Sequence, residues 1–233
     1  GPTKLRYRVF PDSPVDEFDT LVLDAGSNYY WTYNGGSSAD DQRQRATYTR
    51  DQYVADLQNA MGRVGPHGRY IHVYLNGLYW GMHCLHERPD HSFSAANFGG
   101  DKAVYDCIKH RVGTVVNGTN TNYIAMHALS RAGLVTNSVY ESLQAMLDLP
   151  WYIDYMILNH YAGNDDWAHQ NWYCARVPGF GWRYYCWDAE HTLKSITYNA
   201  VTDLDAGDTP TALFQLLRTN AERSEEHTSE LQS

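Results

Sequence analysis

Two adjoining phrases decide the fold of this chain: Gly163-Asn-Asp-Asp-Trp-Ala-His-Gln-Asn171 and, directly after it, Trp172-Tyr-Cys-Ala-Arg-Val-Pro-Gly-Phe-Gly-Trp-Arg-Tyr-Tyr-Cys-Trp-Asp-Ala-Glu190. The first phrase is polar and predicts a loop. The second predicts two aromatic strands, 172–176 and 182–187, on either side of a Pro-Gly turn. This hairpin returns the chain and presents Asp188 at the end of a strand.

The segment before the loop predicts a buried helix, Asp148-Leu-Pro-Trp-Tyr-Ile-Asp-Tyr-Met-Ile-Leu-Asn-His-Tyr161. Asp148 suits the N-cap and Pro150 suits the first turn, while Gly163 ends the helix. The body of the segment is apolar nearly all the way round, which is typical of a central helix rather than an amphipathic surface helix.

The first half of the chain predicts a hairpin and a helix. Asn76-Gly77 is a strong turn signal between the β-rich segments 70–75 and 78–85, and Gly81 inside the second segment indicates a bulge. A helix should begin near Arg50. Its predicted buried face carries Tyr53, Val54, Leu57 and Met61. Further elements are predicted as strands over 18–23 and 104–109 and as helices over 121–132 and 138–147.

Composition limits the possible functions. The chain has 233 residues, of which 43% are hydrophobic, and neither a linker nor an internal repeat divides it, so one domain, of two lobes, is expected. A net charge of −9 argues against a broad nucleic-acid interface. No apolar segment is long enough for a membrane span, and no signal-peptide core is visible at the N-terminus.

The four cysteines lack zinc-site spacing and are expected to be buried thiols, although Cys174 and Cys186 flank the hairpin and could face each other.

Both ends of the chain are expected to be cut. The chain starts without methionine, and the last eleven residues, 223–233, change abruptly to an acidic composition that a common sequencing-library adapter can encode. We therefore expect an incomplete domain over 1–222 and a tail over 223–233 that is not biological, rather than a natural acidic tail.

The loop and the hairpin carry the residues that suit phosphoryl transfer. Asp166 and Asn171 have the D-x-x-x-x-N spacing of a protein-kinase catalytic loop, and Asp188 then follows at a strand end, where kinases place a metal-binding Asp. Upstream, Lys109 ends a short predicted strand and is a candidate for the lysine that pairs with phosphates. Each feature alone is common in proteins, and the combination in this order is what favours a kinase.

In these phrases the chain resembles the CotH kinase family, the spore-coat protein H-like atypical kinases, from about Phe18 to Glu222. The matching phrases are Arg50-Asp51, Tyr74-Leu-Asn-Gly-Leu-Tyr-Trp-Gly81 with Glu87, Phe98-Gly-Gly100, Tyr105-Asp-Cys-Ile-Lys109, Tyr155-Met-Ile-Leu158, Gly163-Asn-Asp-Asp-Trp167, Trp182-Arg-Tyr-Tyr-Cys-Trp-Asp188 and Thr211-Ala-Leu-Phe-Gln-Leu-Leu-Arg-Thr-Asn220.

The resemblance implies an α+β, two-lobed, kinase-like fold, truncated at its C-terminal part, that phosphorylates proteins with ATP and a divalent metal ion, Mg²⁺ or else Mn²⁺ or Ca²⁺. Asp166 would be the catalytic carboxylate, with Asp188, Asn171 and Glu190 as metal ligands. Trp182 would form a wall for the adenine, and Lys109 would bind phosphate. The family also implies a protein substrate, such as a coat or surface protein, and an extracellular or spore-surface location.

The chain departs from the family pattern at several positions. Glu190 stands where the family often has a second Asp, and Gln170 precedes Asn171 where the family often has Asn. Asp165 beside Asp166 leaves the catalytic carboxylate ambiguous by one residue, and no Gly-x-Gly-x-x-Gly loop is visible.

Three alternatives stay open at the level of the sequence. His160, His169 and His191 lie around the carboxylates, so a metal-dependent hydrolase is a rival, since histidine with carboxylate favours zinc or iron. The aromatic residues of the hairpin would also suit a sugar-binding face, although alternation along strands predicts that half of them are core. The other alternative is an inactive coat or surface scaffold.

Overall fold

A computed structural model describes residues 4–26, 46–110, 114–133, 137–202 and 207–218, and these residues form an α+β fold. The helices are α1 Arg50–Ala60, α2 His91–Phe98, α3 Thr121–Arg131, α4 Asn137–Gln144, α5 Leu149–Ala162 and α6 Pro210–Leu217. The strands are β1 Leu5–Arg6, β2 Glu17–Phe18, β3 Leu21–Asp24, β4 Gly68–Leu75, β5 Leu78–Glu87, β6 Asp106–Lys109, β7 Val115–Asn117, β8 Trp172–Arg176 and β9 Arg183–Cys186.

An antiparallel sheet of three strands, in the order β3-β5-β4, contains the predicted hairpin. The strands β4 and β5 meet at Asn76-Gly77, where both residues have positive φ, as a two-residue turn of this type requires. The predicted bulge at Gly81 is confirmed: the register shifts after Val73, which pairs with Gly81, and the φ of Gly81 is +121°. The predicted first strand is two short strands, β2 and β3.

Helix α1 packs against the rest of the protein through glutamines as well as apolar side chains, so the predicted buried face is wrong in part. Val54 is fully buried, but Tyr53 and Met61 are exposed. Gln58 is buried instead, and its side-chain amide contacts β9. The amide nitrogen donates to the Tyr184 carbonyl at 3.0 Å, and the amide oxygen accepts from the Cys186 N–H at 3.0 Å. One side-chain amide thus makes hydrogen bonds with two backbone groups of β9. Hydropathy patterning cannot predict that this polar side chain is buried.

The second sheet has four antiparallel strands in the order β7-β6-β8-β9. Helix α5 packs against β9 and α1, and its predicted caps are confirmed: Asp148 accepts from the Trp151 N–H, and Gly163 adopts the left-handed conformation. Strand β6 begins at Asp106, two residues later than the predicted strand 104–109. Val104 instead ends a short 3-10 helix, Lys102–Val104.

Both faces of the β8–β9 hairpin are core, which corrects the expectation that only half of its aromatic residues would be buried. One large cluster includes Trp172, Trp182 and Tyr184, and a second includes Tyr173 and Tyr185. The side chains of all five are at most 1% exposed. A sugar-binding face on the strands of this hairpin is therefore excluded by burial.

The four cysteines are free and buried, as expected. Cys174 pairs with Tyr184 and Cys186 pairs with Trp172 across the hairpin, so the two thiols are not opposite each other. Burial raises the pKa of the Cys174 thiol far above its usual value. Among the described residues, no helix is both long and apolar enough to cross a membrane.

Candidate functional site

The loop between α5 and β8 holds Asp166 and Asn171 together. The Asn171 amide nitrogen donates to the Asp166 carbonyl at 2.7 Å and lies 3.4 Å from Asp166 Oδ2. Because a carbonyl can only accept, this contact identifies the nitrogen of the amide and leaves its oxygen available for a cation. Asn171 is 5% exposed, so its amide is held in one orientation by the surrounding protein.

The Asp166 carboxylate is positioned by its neighbours in the loop. Gln170 Nε2 donates to Asp166 Oδ1 at 2.8 Å, and His169 Nε2 lies 3.3 Å from the same oxygen. The Asp166 side chain remains about one quarter exposed. A carboxylate that is oriented by hydrogen bonds and still reached by solvent can meet a hydroxyl group of a second molecule.

Asp165 has a different environment. Lys194 Nζ donates to both of its carboxylate oxygens, at 2.8 and 3.0 Å, and the Asp165 N–H donates to the His191 carbonyl. These contacts tie the loop to the segment that follows β9. Asp165 is thus bound in an ion pair, whereas the adjacent Asp166 points toward Asn171.

Asp188 lies at the same end of the hairpin as Asn171. Trp172 pairs with Cys186, so Asn171 and Trp187 are the next residues outward on neighbouring strands. The φ of Asp188 is +57°, in the left-handed region that Asp and Asn adopt more readily than other residues except glycine. The register therefore brings the predicted metal ligands Asp188 and Asn171 to the same end of the β8–β9 hairpin.

Glu190 is a buried carboxyl group next to Asp188. It is 2% exposed, and burial raises the pKa of its carboxyl to about 9, with further contributions from the charge of Asp188 and a hydrogen bond with it. Two neighbouring carboxyl groups can share a divalent cation, so the donor set fits a metal ion with oxygen ligands.

A second group of candidate ligands lies next to Asp188 and was missed at the level of the sequence. It consists of Asp24 at the end of β3, Asp51 in the first turn of α1 and His86 near the end of β5, with one ligand atom from each within 4.8 Å of the others. Their separations along the chain follow no metal-binding spacing. Only Asp51, within the phrase Arg50-Asp51, belongs to a segment that the sequence patterns singled out.

Asp51 joins this group to the hairpin end. The Ala189 N–H donates to Asp51 Oδ1 at 2.7 Å. Burial raises the pKa of Asp51 to about 6; His86 and the Ala189 N–H oppose this rise, while Asp188 and Asp24 add to it through repulsion. Negative charge is therefore concentrated where α1, β3 and the end of β9 meet.

Residues 37–228, most of the chain, match the sequence profile of the family described as CotH kinase protein. The chain belongs to the CotH kinase family. Membership points to a kinase-like function and confirms the resemblance seen in the sequence. The matched range begins after β3 and reaches into the last eleven residues, whose origin in an adapter stays a prediction. No curated protein is significantly similar to the chain.

Two further residues were assigned from the CotH family pattern, Trp182 and Lys109. Trp182 is completely buried: its indole N–H donates to Asn122 Oδ1 at 3.0 Å, and its ring packs against Tyr123. It has no exposed ring face for an adenine, because the large ring fills the core between β9 and α3. Lys109 pairs with Tyr173 across β6 and β8 and is partly exposed in the four-stranded sheet.

The three histidines of the hydrolase alternative do not form one metal site. His169 contacts Asp166, His191 contacts Asp165 and Glu190, and His160 packs against Trp167 and Phe214. In the described part of the chain, the His-containing group with metal-ligand geometry is instead that of His86.

A cavity of about 260 Å³ lies beside the turn of the β8–β9 hairpin. Phe98, Tyr105, Arg176 and Arg183 contribute to its lining, which includes none of the predicted catalytic or metal-binding carboxylates. It is therefore separate from the carboxylate group around Asp188.

Proposed function

We propose that this chain is an atypical protein kinase that transfers the γ-phosphoryl group of ATP to a hydroxyl group of a protein, with Asp166 as the catalytic carboxylate. The observation that carries the proposal is the hydrogen-bonded pair Asp166–Asn171 at the hairpin end that also presents Asp188. Phosphoryl transfer needs a carboxylate near the attacking hydroxyl and oxygen ligands for magnesium, and these residues supply both.

The order of the elements supports a two-lobed, kinase-like arrangement. Strand β3, helix α1 and the hairpin β4–β5 precede a region of helices with the strands β6 and β7, and the Asp166 loop and the hairpin that ends in Asp188 come after it. In protein kinases a strand, a helix and a catalytic loop followed by a metal-binding Asp occur in the same sequence along the chain. The three-stranded sheet and α1 would belong to the first lobe, and α3 to α6 to the second.

Asp188, Glu190 and the Asn171 amide oxygen would hold Mg²⁺ or another divalent ion. When bound with ATP, the ion neutralises charge on the phosphates. All three side chains offer oxygen atoms, the type of ligand that magnesium prefers. Binding in this position would offset the repulsion between the carboxyl groups of Glu190 and Asp188.

Asp166 would act on the acceptor. Its carboxylate, held by Gln170 and Asn171, would orient the acceptor hydroxyl and accept its proton as the new oxygen–phosphorus bond forms. The bond between the γ-phosphorus and the bridging oxygen breaks, and ADP leaves with that oxygen. Lys109 is the remaining candidate for a phosphate contact from the family pattern.

The family's link to spore coats supports a coat or surface protein as the substrate and an extracellular or spore-surface location. Both are proposals that follow from family membership alone. The acidic charge of the chain, −9, is consistent with a protein acceptor rather than a nucleic acid.

The test compares Asp166→Asn with Asp165→Asn in the full chain. Transfer of labelled phosphate from ATP to casein and to the chain itself should require Mg²⁺ or Mn²⁺ and should fall at least about 100-fold in Asp166→Asn. Asp165→Asn is the matched control, because it removes the same charge one residue away and affects the contacts of Asp165 with Lys194 and His191 rather than the Asp166–Asn171 pair. Equal activity of the two variants would refute the role of Asp166.

Binding is measured separately from transfer. At about 100 times its dissociation constant, ATP with Mg²⁺ should stabilise the fold by roughly 2.7 kcal/mol, which a thermal melt detects. Asp166→Asn should keep this shift, and Asp188→Ala should lose it. A folded chain that neither binds ATP nor transfers phosphate would instead support the scaffold alternative.

A further inference from the structure

We infer that Asp24, Asp51 and His86 form a binding site for a divalent first-row transition-metal ion, which binds there in the absence of nucleotide. This site differs from the proposed magnesium ligands Asp188, Asn171 and Glu190. It is assembled from three elements, β3, α1 and β5, rather than from the catalytic loop and the end of the hairpin.

The fold places the three side chains on one surface. Val22 pairs with His86 and Asp24 pairs with Cys84, so Asp24 and His86 project from the same face of the three-stranded sheet as diagonal neighbours. Helix α1 starts against this face. Gly68, which pairs with His86, has no side chain and leaves room for the Gln52 amide, so the helix approaches closely and brings Asp51 to the group.

His86 is prepared as a metal ligand. Its side chain is more than nine-tenths buried, and Nδ1 lies 3.0 Å from the Glu87 carbonyl oxygen, which can only accept a hydrogen bond. Nδ1 therefore carries the proton, and in the neutral ring Nε2 has a lone pair. Among the described residues, His86 makes no other hydrogen bond or ion pair. A histidine that donates through one nitrogen to a carbonyl and binds a metal ion through the other is the usual arrangement in metal sites.

The distances and the ligand types indicate the kind of ion. Transition-metal ions bind nitrogen and oxygen at roughly 2.0–2.2 Å, so ligands on opposite sides of an ion are about 4.4 Å apart. The three ligand atoms lie within 4.8 Å of one another, and a small adjustment of the side chains brings all of them to bonding distance. One imidazole with two carboxylates favours manganese, iron or zinc over magnesium.

The position of the site has a consequence for the proposed function. Asp51 accepts from the Ala189 N–H, and the His86 ring contacts Trp187, so the ion would lie next to Asp188. Protein kinases bind phosphate with a strand lysine near this junction, and no lysine occurs in β3, α1, β4 or β5. A bound cation would supply positive charge there, a consequence that rests on the proposed function.

The experiment measures Mn²⁺ binding to the full chain after treatment with a chelator, without nucleotide. Titration followed by electron paramagnetic resonance should show about one tightly bound Mn²⁺ per chain, and pulsed measurements should show coupling to an imidazole nitrogen. Asp24→Asn should weaken binding at least ten-fold, and His86→Gln should also abolish the nitrogen coupling. Asp165→Asn should bind Mn²⁺ as the wild type does, and circular dichroism should show that all variants are folded.

The outcomes separate this inference from the proposed function. Absence of Mn²⁺ binding without nucleotide, or binding that Asp24→Asn and His86→Gln leave unchanged in folded protein, would overturn the inference. Binding that appears only with ATP would also overturn it and leave the kinase proposal intact. Nucleotide-independent binding with nitrogen coupling in a chain that transfers no phosphate would support the metal site and count against the kinase.

Discussion

His127, in α3, should make the stability of this protein depend on pH. The side chain is completely buried against the Tyr123 ring, and among the described residues neither ring nitrogen makes a hydrogen bond. Burial lowers the pKa of His127 from 6.5 to about 4. Asp208, 3.8 Å from Nδ1, opposes this shift, but the same carboxylate also pairs with Arg131, whose charge lowers the pKa further.

The magnitude follows from linkage between protonation and folding. The unfolded chain binds a proton at His127 below a pH of about 6.5, and the folded chain does so only below about 4, so stability is lost as pH falls through this window. One pKa unit corresponds to about 1.36 kcal/mol, so the total loss is about 3 kcal/mol. About 2 kcal/mol of it should be lost on going from pH 7.5 to pH 5.

The assay compares His127→Leu with the wild type by urea unfolding at pH 7.5 and pH 5 in the presence of EDTA. Leu has a similar volume and no titratable group, so the variant should be within about 1 kcal/mol of the wild type at pH 7.5. At pH 5 it should be more stable relative to the wild type by about 2 kcal/mol. Taking the difference removes contributions from other titrating groups, including Asp51 and Glu190, that both proteins share.

A control variant tests whether the loss of stability at low pH is specific to His127. His72→Gln, which changes an exposed histidine on β4, should leave the pH dependence as in the wild type. If His127→Leu and the wild type lose the same free energy of unfolding between pH 7.5 and pH 5, then burial does not depress the titration of His127. The pH dependence of stability would then have to arise from other groups.

Three further predictions concern packing. Gly181→Ala should destabilise the fold by about 3 kcal/mol or more in urea unfolding, because a Cβ at this position would overlap the backbone of Leu147 and Asp148. Gly179 lies in open space at positive φ, so Gly179→Ala should cost only about 1–2 kcal/mol. Equal costs for the two substitutions would contradict the overlap at Gly181. Gln58→Leu should lower the free energy of unfolding by about 1–3 kcal/mol, because it leaves the buried Cys186 N–H without its partner and removes one of the two donors to the Tyr184 carbonyl, which keeps the Trp151 indole N–H; an unchanged midpoint would contradict this expectation. None of the four cysteines should react with Ellman's reagent until the chain is unfolded, since all are buried; rapid reaction of native protein would contradict their placement.

Much of the local structure could be predicted from neighbouring residues alone. Asn76-Gly77 specifies a tight hairpin, Asp148 with Pro150 starts α5, and Gly163 ends it, because each of these effects acts within one turn of the chain. The loop phrase that carries Asp166 and Asn171 is also local, since the two side chains are five residues apart. These features can therefore be predicted without knowledge of any tertiary contact.

The tertiary structure decided which polar residues are buried and which carboxylates meet. Gln58 reaches β9 across more than a hundred residues of sequence, and Lys194 binds Asp165 but not the adjacent Asp166. Asp24, Asp51 and His86 come together where the first turn of α1 approaches the three-stranded sheet, near Gly68. From the sequence alone, Trp182 suits a binding site and a protein core equally well. In the structure it is buried because it packs against α3. Sequence patterns report preferences over a few residues, whereas these contacts depend on how separate elements pack in three dimensions.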